Sequence, residues 1–210
     1  MYLKHLFIGM MIGGMLISCG GNKSSENDES DSMGVSETIG GLRNLNKAAD
    51  AAKDWEKTQE KLVAETPITN DELKAIFPEI LAGMKRNSFS VGEAQMMGVN
   101  SGQASYSDGE EKSVEVSVMD GAGETGAAMV SMYVMTLSME TEKETETGYT
   151  KTTKFKGNRA TVTENKDDDR VNSEITTLVS DRYIVSLDAS GMSLRELERV
   201  FDELNLKSLK

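Results

Sequence analysis

The spacing of apolar positions changes from block to block along this chain. Residues 6–18 are thirteen in a row without a charge, too few for a bilayer span of ~20 residues. Residues 20–41 are Gly, Ser, Asn, Asp and Glu with few apolar side chains, a composition that buries too little surface to order itself. Residues 42–65 are rich in alanine and charge with no internal glycine or proline, which predicts a helix. Leu42, Leu45, Ala49, Ala52 and Trp55 sketch a seam along it, and Glu56 and Gln59 interrupt the seam. The helix is either a short partner helix or coiled coil, or else a solvated stalk or a helix packed loosely on the domain, and the interruptions favour the second pair.

Pro67 breaks the chain, and Thr69 with Glu72 has the spacing of a capping box. A short helix carrying Leu73, Ile76 and Phe77 follows, with Pro78 and Gly83 to end it. Strand-like alternation then sets in. Ala104 and Tyr106 lead to the turn Asp108-Gly109, and Val114, Val116 and Val118 alternate with Glu115 and Ser117, which predicts a hairpin with one buried face. Residues 127–139 are apolar nearly all round, a pattern shared by strands and helices. We read it as a buried helix.

Further on, Tyr149, Thr153 and Phe155 share a strand face, and Gly157-Asn158 suits a hairpin turn into 159–164. Val171, Ile175 and Val179, then Tyr183, Val185 and Leu187, mark two more strands around Ser180-Asp181. Ser193 and Glu196 form a second capping box, with Met192 and Leu197 placed as a hydrophobic staple. The stripe Leu194, Leu197, Val200, Phe201 and Leu204 makes the closing helix. Together these blocks predict one α+β domain over 66–210, an antiparallel sheet of about six strands with helices on one face. The two halves echo each other: SDGEEKSVEVSVMDGAG and SDRYIVSLDASG both run from a turn through a strand to Asp and Gly before a helix.

The chemistry of the N-terminus fixes an expected address. MYLKH precedes the apolar run, the shape of a secretory signal. The run ends Leu16-Ile17-Ser18-Cys19-Gly20. That sequence resembles the lipobox of bacterial lipoproteins, and the polar tail after it resembles that of Bacteroidetes-type members. The resemblance implies cleavage before Cys19, diacylglycerol on its thiol and acylation of its new amino group. Two or more chains at ~0.8 kcal/mol per buried CH₂ anchor firmly where one does not. Gly20 in place of an aspartate implies the outer membrane, at its periplasmic face or at the cell surface. The expected plan is a signal peptide over 1–18, a lipidated tether over 19–41, the helix 42–65 and the domain 66–210.

Charge and residue loss then narrow the chemistry. The chain has 35 acidic and 23 basic residues and a formal charge of −12; removing 1–18 takes Lys4 and makes it more negative still. That argues against nucleic acid, which needs basic patches. The only histidine, His5, leaves with the signal, and the only cysteine, Cys19, becomes a thioether. A mature chain of this kind offers no disulfide, no Ser–His–Asp or Cys–His nucleophile and no Cys/His zinc site. S-x-x-K and G-x-S-x-G motifs are absent from the sequence. An enzyme would have to rely on carboxylates, as glycosidases do, and the one tryptophan, Trp55, is poorly placed to hold a sugar.

Two clusters remain as candidates for binding. Met129, Met132, Met135 and Met139 fall along one side of the 127–139 helix. Thioether sulfur favours copper(I), yet methionine is more often core filler, and Leu, Val and Tyr interleave with these four. The same methionines, Met129, Met132 and Met135, are candidates for lining an apolar groove. Asp167, Asp168 and Asp169 are a weak cation candidate: calcium loops space their acids alternately and need a glycine, so a hairpin tip is the plainer reading.

Residues 77–86 (FPEILAGMKR), 104–109 (ASYSDG) and 114–123 (VEVSVMDGAG) resemble an uncharacterised family of secreted bacterial domains over about 70–140. That resemblance implies no activity. The expectation is a non-enzymatic binding or accessory lipoprotein of the cell envelope. It would need no cofactor, hold the membrane by its acyl chains, and take a small apolar ligand. A structural adaptor with an envelope protein partner is the alternative, and a carboxylate hydrolase a more distant one.

Overall fold

A computed structural model of the chain describes Lys53, residues 55–167 and residues 169–209. The expected signal peptide, the lipobox with Cys19, the tether and residues 42–52 of the first helix lie outside the described residues. Described residues form nine strands: β1 (Ile80–Leu81), β2 (Met84–Val91), β3 (Ser101–Ser107), β4 (Ser113–Asp120), β5 (Glu142–Thr145), β6 (Gly148–Phe155), β7 (Asn158–Asp167), β8 (Arg170–Val179) and β9 (Tyr183–Ser190). They make one antiparallel sheet in the order β1-β2-β3-β4-β9-β8-β7-β6-β5. Two meanders, β1–β4 and β5–β9, are thus zipped together along β4 and β9, from Ser113 opposite Ser190 to Asp120 opposite Tyr183.

The fold is α+β, with more strands than the six read from the sequence. The missed ones are β1, β2 and β5, and each lacks the signal that reading depends on. β1 is two residues long. β2 breaks its own alternation with a register shift between Arg86 and Ser88, a bulge that puts two residues against one. β5 exposes every residue, so it has no buried face to leave a period in the sequence.

Helices cover both faces of the sheet, where the sequence reading put them on one. On the first face, Val114, Val116, Val185, Leu187 and Ile175 meet Leu73 of α2 (Asn70–Lys74) and Leu197, Val200 and Phe201 of α4 (Leu194–Glu203) in one buried cluster. On the second, Leu178 of β8 and Ile184 of β9 stand opposite each other in register. Leu178 is buried with Leu62 of α1, helical over 55–64, and with Ala127 and Val130 of α3 (Gly123–Ser138); Ile184 packs against that cluster. A strand buried on both faces reads as an unbroken apolar run rather than an alternation. Leu178-Val179 and Tyr183-Ile184-Val185 are such runs.

The helix read as a solvated stalk or one packed loosely on the domain packs on the domain over its described part. Leu62 is buried, and the Trp55 indole N–H donates to Ser131 Oγ at 3.3 Å. The echo between the halves survives as strand–strand–helix order only, because α3 and α4 lie on opposite faces. The two-residue turn before β7 is Lys156-Gly157, one position earlier than expected, since Phe155 pairs with Asn158. Both turn residues have positive φ, 49° and 88°, as a type I′ turn requires.

The end helices form where their caps predict. Thr69 and Glu72 make a reciprocal capping box before α2, and Ser193 and Glu196 do so before α4. Each box satisfies orphan backbone donors at a helix start.

Candidate functional site

The second face is only partly roofed. α3 and α1 cover the β8/β9 region and leave the β2–β3–β4 end open. There Ser90, Gln103, Ser117 and Met119 floor a groove of about 430 Å³. One wall is the segment 93–99, which includes a 3₁₀ turn (Gln95–Met97); the other is the first half of α3, with Thr125 and Met129. Val99 is buried and pins the wall from below, and Gly98 closes the turn at φ 76°. A side chain at Gly98 would put its Cβ 3.1 Å from Thr125 Oγ1, so the wall sits close against α3.

The lining gives the groove its chemistry. Met97, Met119, Met129 and Val99 supply apolar surface, and the serines and Gln103 supply neutral polar groups. Glu93 is the one charged side chain on the wall, and neither lysine nor arginine lines it. An uncharged, mainly apolar occupant fits such a surface; apolar pockets with a few polar groups are the common form of small-molecule sites.

The methionines of α3 are not core filler. The helix buries Gly126, Ala127, Val130 and Leu137 and leaves Met129, Met132, Met135 and Met139 exposed, the last three by 68, 63 and 56 %. Small residues win the buried side because the backbone comes close there. A Cβ on Gly126 would lie 2.7 Å from the Asp120 carbonyl oxygen. Of the groove candidates read from the sequence, Met129 lines the groove, and Met132 and Met135 stand on the outer face beyond it. Met97 and Met119 line it too and were not singled out. The pair Met96-Met97, set between Gly92 and Gly98, was the available sign: two large apolar residues in a glycine-bounded loop have no core to enter.

A charged clasp holds the α3 side of the groove in place. Asp120, at the end of β4, is fully buried and accepts the Ala122 N–H at 3.0 Å and the Ile68 N–H at 2.7 Å. Arg182 donates to both its oxygens and to Glu65 Oε2 at 2.5 Å. The hydrogen bonds to Asp120 hold the Arg182 guanidinium well above its ordinary value. Farther along α3, the Tyr133 hydroxyl donates to the Thr176 carbonyl at 2.5 Å, and burial pushes its pKa up to about 12. Tyr133 is therefore a neutral strut and no acid–base group at ordinary pH.

Another recess, about 510 Å³, lies along the β5–β6 edge among Glu140, Glu142, Lys151, Lys154 and Arg159. Water competes there for every polar contact. Asp169 is exposed at the β7–β8 tip beside Glu111 and Arg170; Asp168 and the side chain of Asp167 lie outside the described residues. Among the described residues no three His, Cys, Asp or Glu side chains are grouped to hold a metal ion, and no helix is long and apolar enough to cross a membrane.

No family model matches this chain, and no curated protein or solved structure matches it.

Proposed function

We propose that the chain is a lipid-anchored lipoprotein of the cell envelope whose domain binds an apolar ligand and performs no catalysis. The observation that carries the binding half is the groove of about 430 Å³ roofed by neither α1 nor α3, with three methionines and Val99 in its lining and no cation. Methionine suits adaptable apolar binding because its unbranched thioether repacks around different shapes. The anchoring half rests on Leu16-Ile17-Ser18-Cys19 behind an apolar run. Acyl chains there place the domain at the membrane surface, at the end of a polar tether.

The test is titration of the full-length protein in mild detergent with an environment-sensitive apolar fluorophore. Met129→Glu puts a charge in the groove wall and should weaken binding. Met135→Glu puts the same charge outside the groove and should leave it unchanged. Equal effects of the two would point away from the groove.

A second reading, an adaptor docking an envelope protein, is favoured by the outer face of α3. Met132, Met135 and Met139 form an apolar stripe with no cover among the described residues. A helix apolar on all sides is usually buried on all sides. In that case Met132→Glu and Met135→Glu abolish cross-linking to a neighbour in intact envelopes.

A further inference from the structure

Three thioethers from three separate elements line one groove: Met97 from the 3₁₀ turn, Met119 from β4 and Met129 from α3. Sequence spacing alone does not reveal the set, because the fold of turn, strand and helix brings residues 97, 119 and 129 to one groove. None of them is needed to fill the core. Met97 is 71 % exposed and Met129 43 % exposed. Each has an unbranched side chain with three rotatable bonds, which lets its thioether shift within the groove.

We propose that this groove is a thioether site for a soft monovalent cation, copper(I) or silver(I). Soft sulfur ligands select soft metal ions, and thioethers bind them without having to lose a proton. Histidine and cysteine, which would compete as stronger ligands, do not occur among the described residues. The electrostatics agree. Glu93 is the one ionisable group on the groove, no lysine or arginine lines it, and the chain carries a formal charge of −12. A cation entering the groove meets no like charge on its walls. The serine hydroxyls of the floor, Ser90 and Ser117, are weak ligands for such an ion and leave the choice to sulfur.

This inference shares the groove with the apolar-ligand reading and does not depend on it. Leucine separates the two, because it keeps the apolar volume of methionine and deletes the sulfur. The experiment is anaerobic titration of the full-length protein in mild detergent with silver(I), and with copper(I) held by a competing chelator. Stoichiometry is read by native mass spectrometry. Wild type should retain one ion. The triple variant Met97→Leu, Met119→Leu, Met129→Leu should weaken retention by at least about tenfold, the lower end of the cost of disturbing even the outer partner of a metal ligand. Fluorophore binding by wild type is read alongside, as the separate test of the apolar-ligand reading. Met97→Leu alone alters a largely exposed side chain, so its loss of affinity cannot come from unfolding. A control with Met132→Leu, Met135→Leu and Met139→Leu should retain the ion. No retained ion in wild type, equal retention by the triple variant, or loss in the outer-face control would each overturn the site. Failure of fluorophore binding with ion retention intact would instead remove the apolar-ligand reading alone.

Discussion

Arg182 grips Asp120 with two prongs, Nε 2.6 Å from Oδ1 and Nη2 2.8 Å from Oδ2. Asp120 is fully buried at the last position of β4, and Arg182 stands in the turn before β9, the strand paired with it. The pair also collects the chain from elsewhere. Arg182 Nη2 donates to the Thr66 carbonyl at 2.9 Å, and Asp120 accepts from Ile68 and Ala122. One ion pair thus ties the segment after α1, the centre of the sheet and the start of α3.

Breaking that pair should be costly. Removing one partner leaves a buried charge uncompensated, at about 3–5 kcal/mol. Arg182→Met should lower stability by that order in chemical denaturation of the full-length protein, and Asp120→Asn should do the same. Arg182→Lys keeps the charge and loses the fork, so it should fall between wild type and Arg182→Met. A loss below about 1 kcal/mol for Arg182→Met, the range of an exposed pair, would mean the clasp does not hold these elements.

Gly126 offers a prediction of sign. Alanine in place of a helical glycine usually stabilises by ~1 kcal/mol. At this position the added Cβ would meet Asp120 O at 2.7 Å and Gly121 C at 2.8 Å, both backbone atoms that cannot swing aside. Gly126→Ala should destabilise by about 1–3 kcal/mol and shift α3 away from the sheet. Thermal melts of the two proteins decide it, and a rise in Tm for the variant contradicts the packing described.

Acid should weaken the α4 end in a defined window. The Lys112 ammonium at 2.8 Å, helped by the Ser193 backbone and hydroxyl, lowers the Glu196 pKa from 4.5 to about 2. Its folded value is depressed, so its contribution is full above about 4.5 and is lost as pH falls through about 2. The stability difference between wild type and Glu196→Gln should be constant above that window and shrink across it. The group is partly exposed, so screening keeps the amplitude small. Denaturation at a series of pH values measures it; a difference that grows toward low pH has the wrong sign for this pairing.

The address has its own test. Cys19→Ala should abolish palmitate labelling and release the protein from the membrane fraction, because the acyl chains are its expected anchor. Firm membrane retention of the variant would remove the lipobox reading.

Much of this fold was legible where a single face is buried. Val114, Val116 and Val118, or Leu197, Val200 and Phe201, announce strand and helix by period, and the two capping boxes mark their helices from the sequence. What stayed hidden lacked a period or depended on contacts distant along the chain. β5 has no buried residue, and β2 carries a bulge that resets its alternation. The second helical layer was written in Leu178 and Ile184, which interrupt the one-face pattern of β8 and β9. The methionines of α3 were misread as filler because composition does not say which side a helix turns inward. The close backbone at Gly126 does, and it appears only when β4 and α3 meet. The groove was half legible for the same reason: Met129 was visible as a candidate, while Met97 and Met119 join it from the 3₁₀ turn and from β4 only in the folded chain.

The central claim, that the groove holds an apolar ligand, is tested most directly by native mass spectrometry of the full-length protein purified gently from its own envelope, beside Ser117→Trp. Ser117 sits on the groove floor, and an indole there fills the space a ligand would take. The account predicts a stoichiometric extra mass on wild type, of apolar composition, that is missing from the variant. A bare wild-type chain, or the same mass on both proteins, contradicts it.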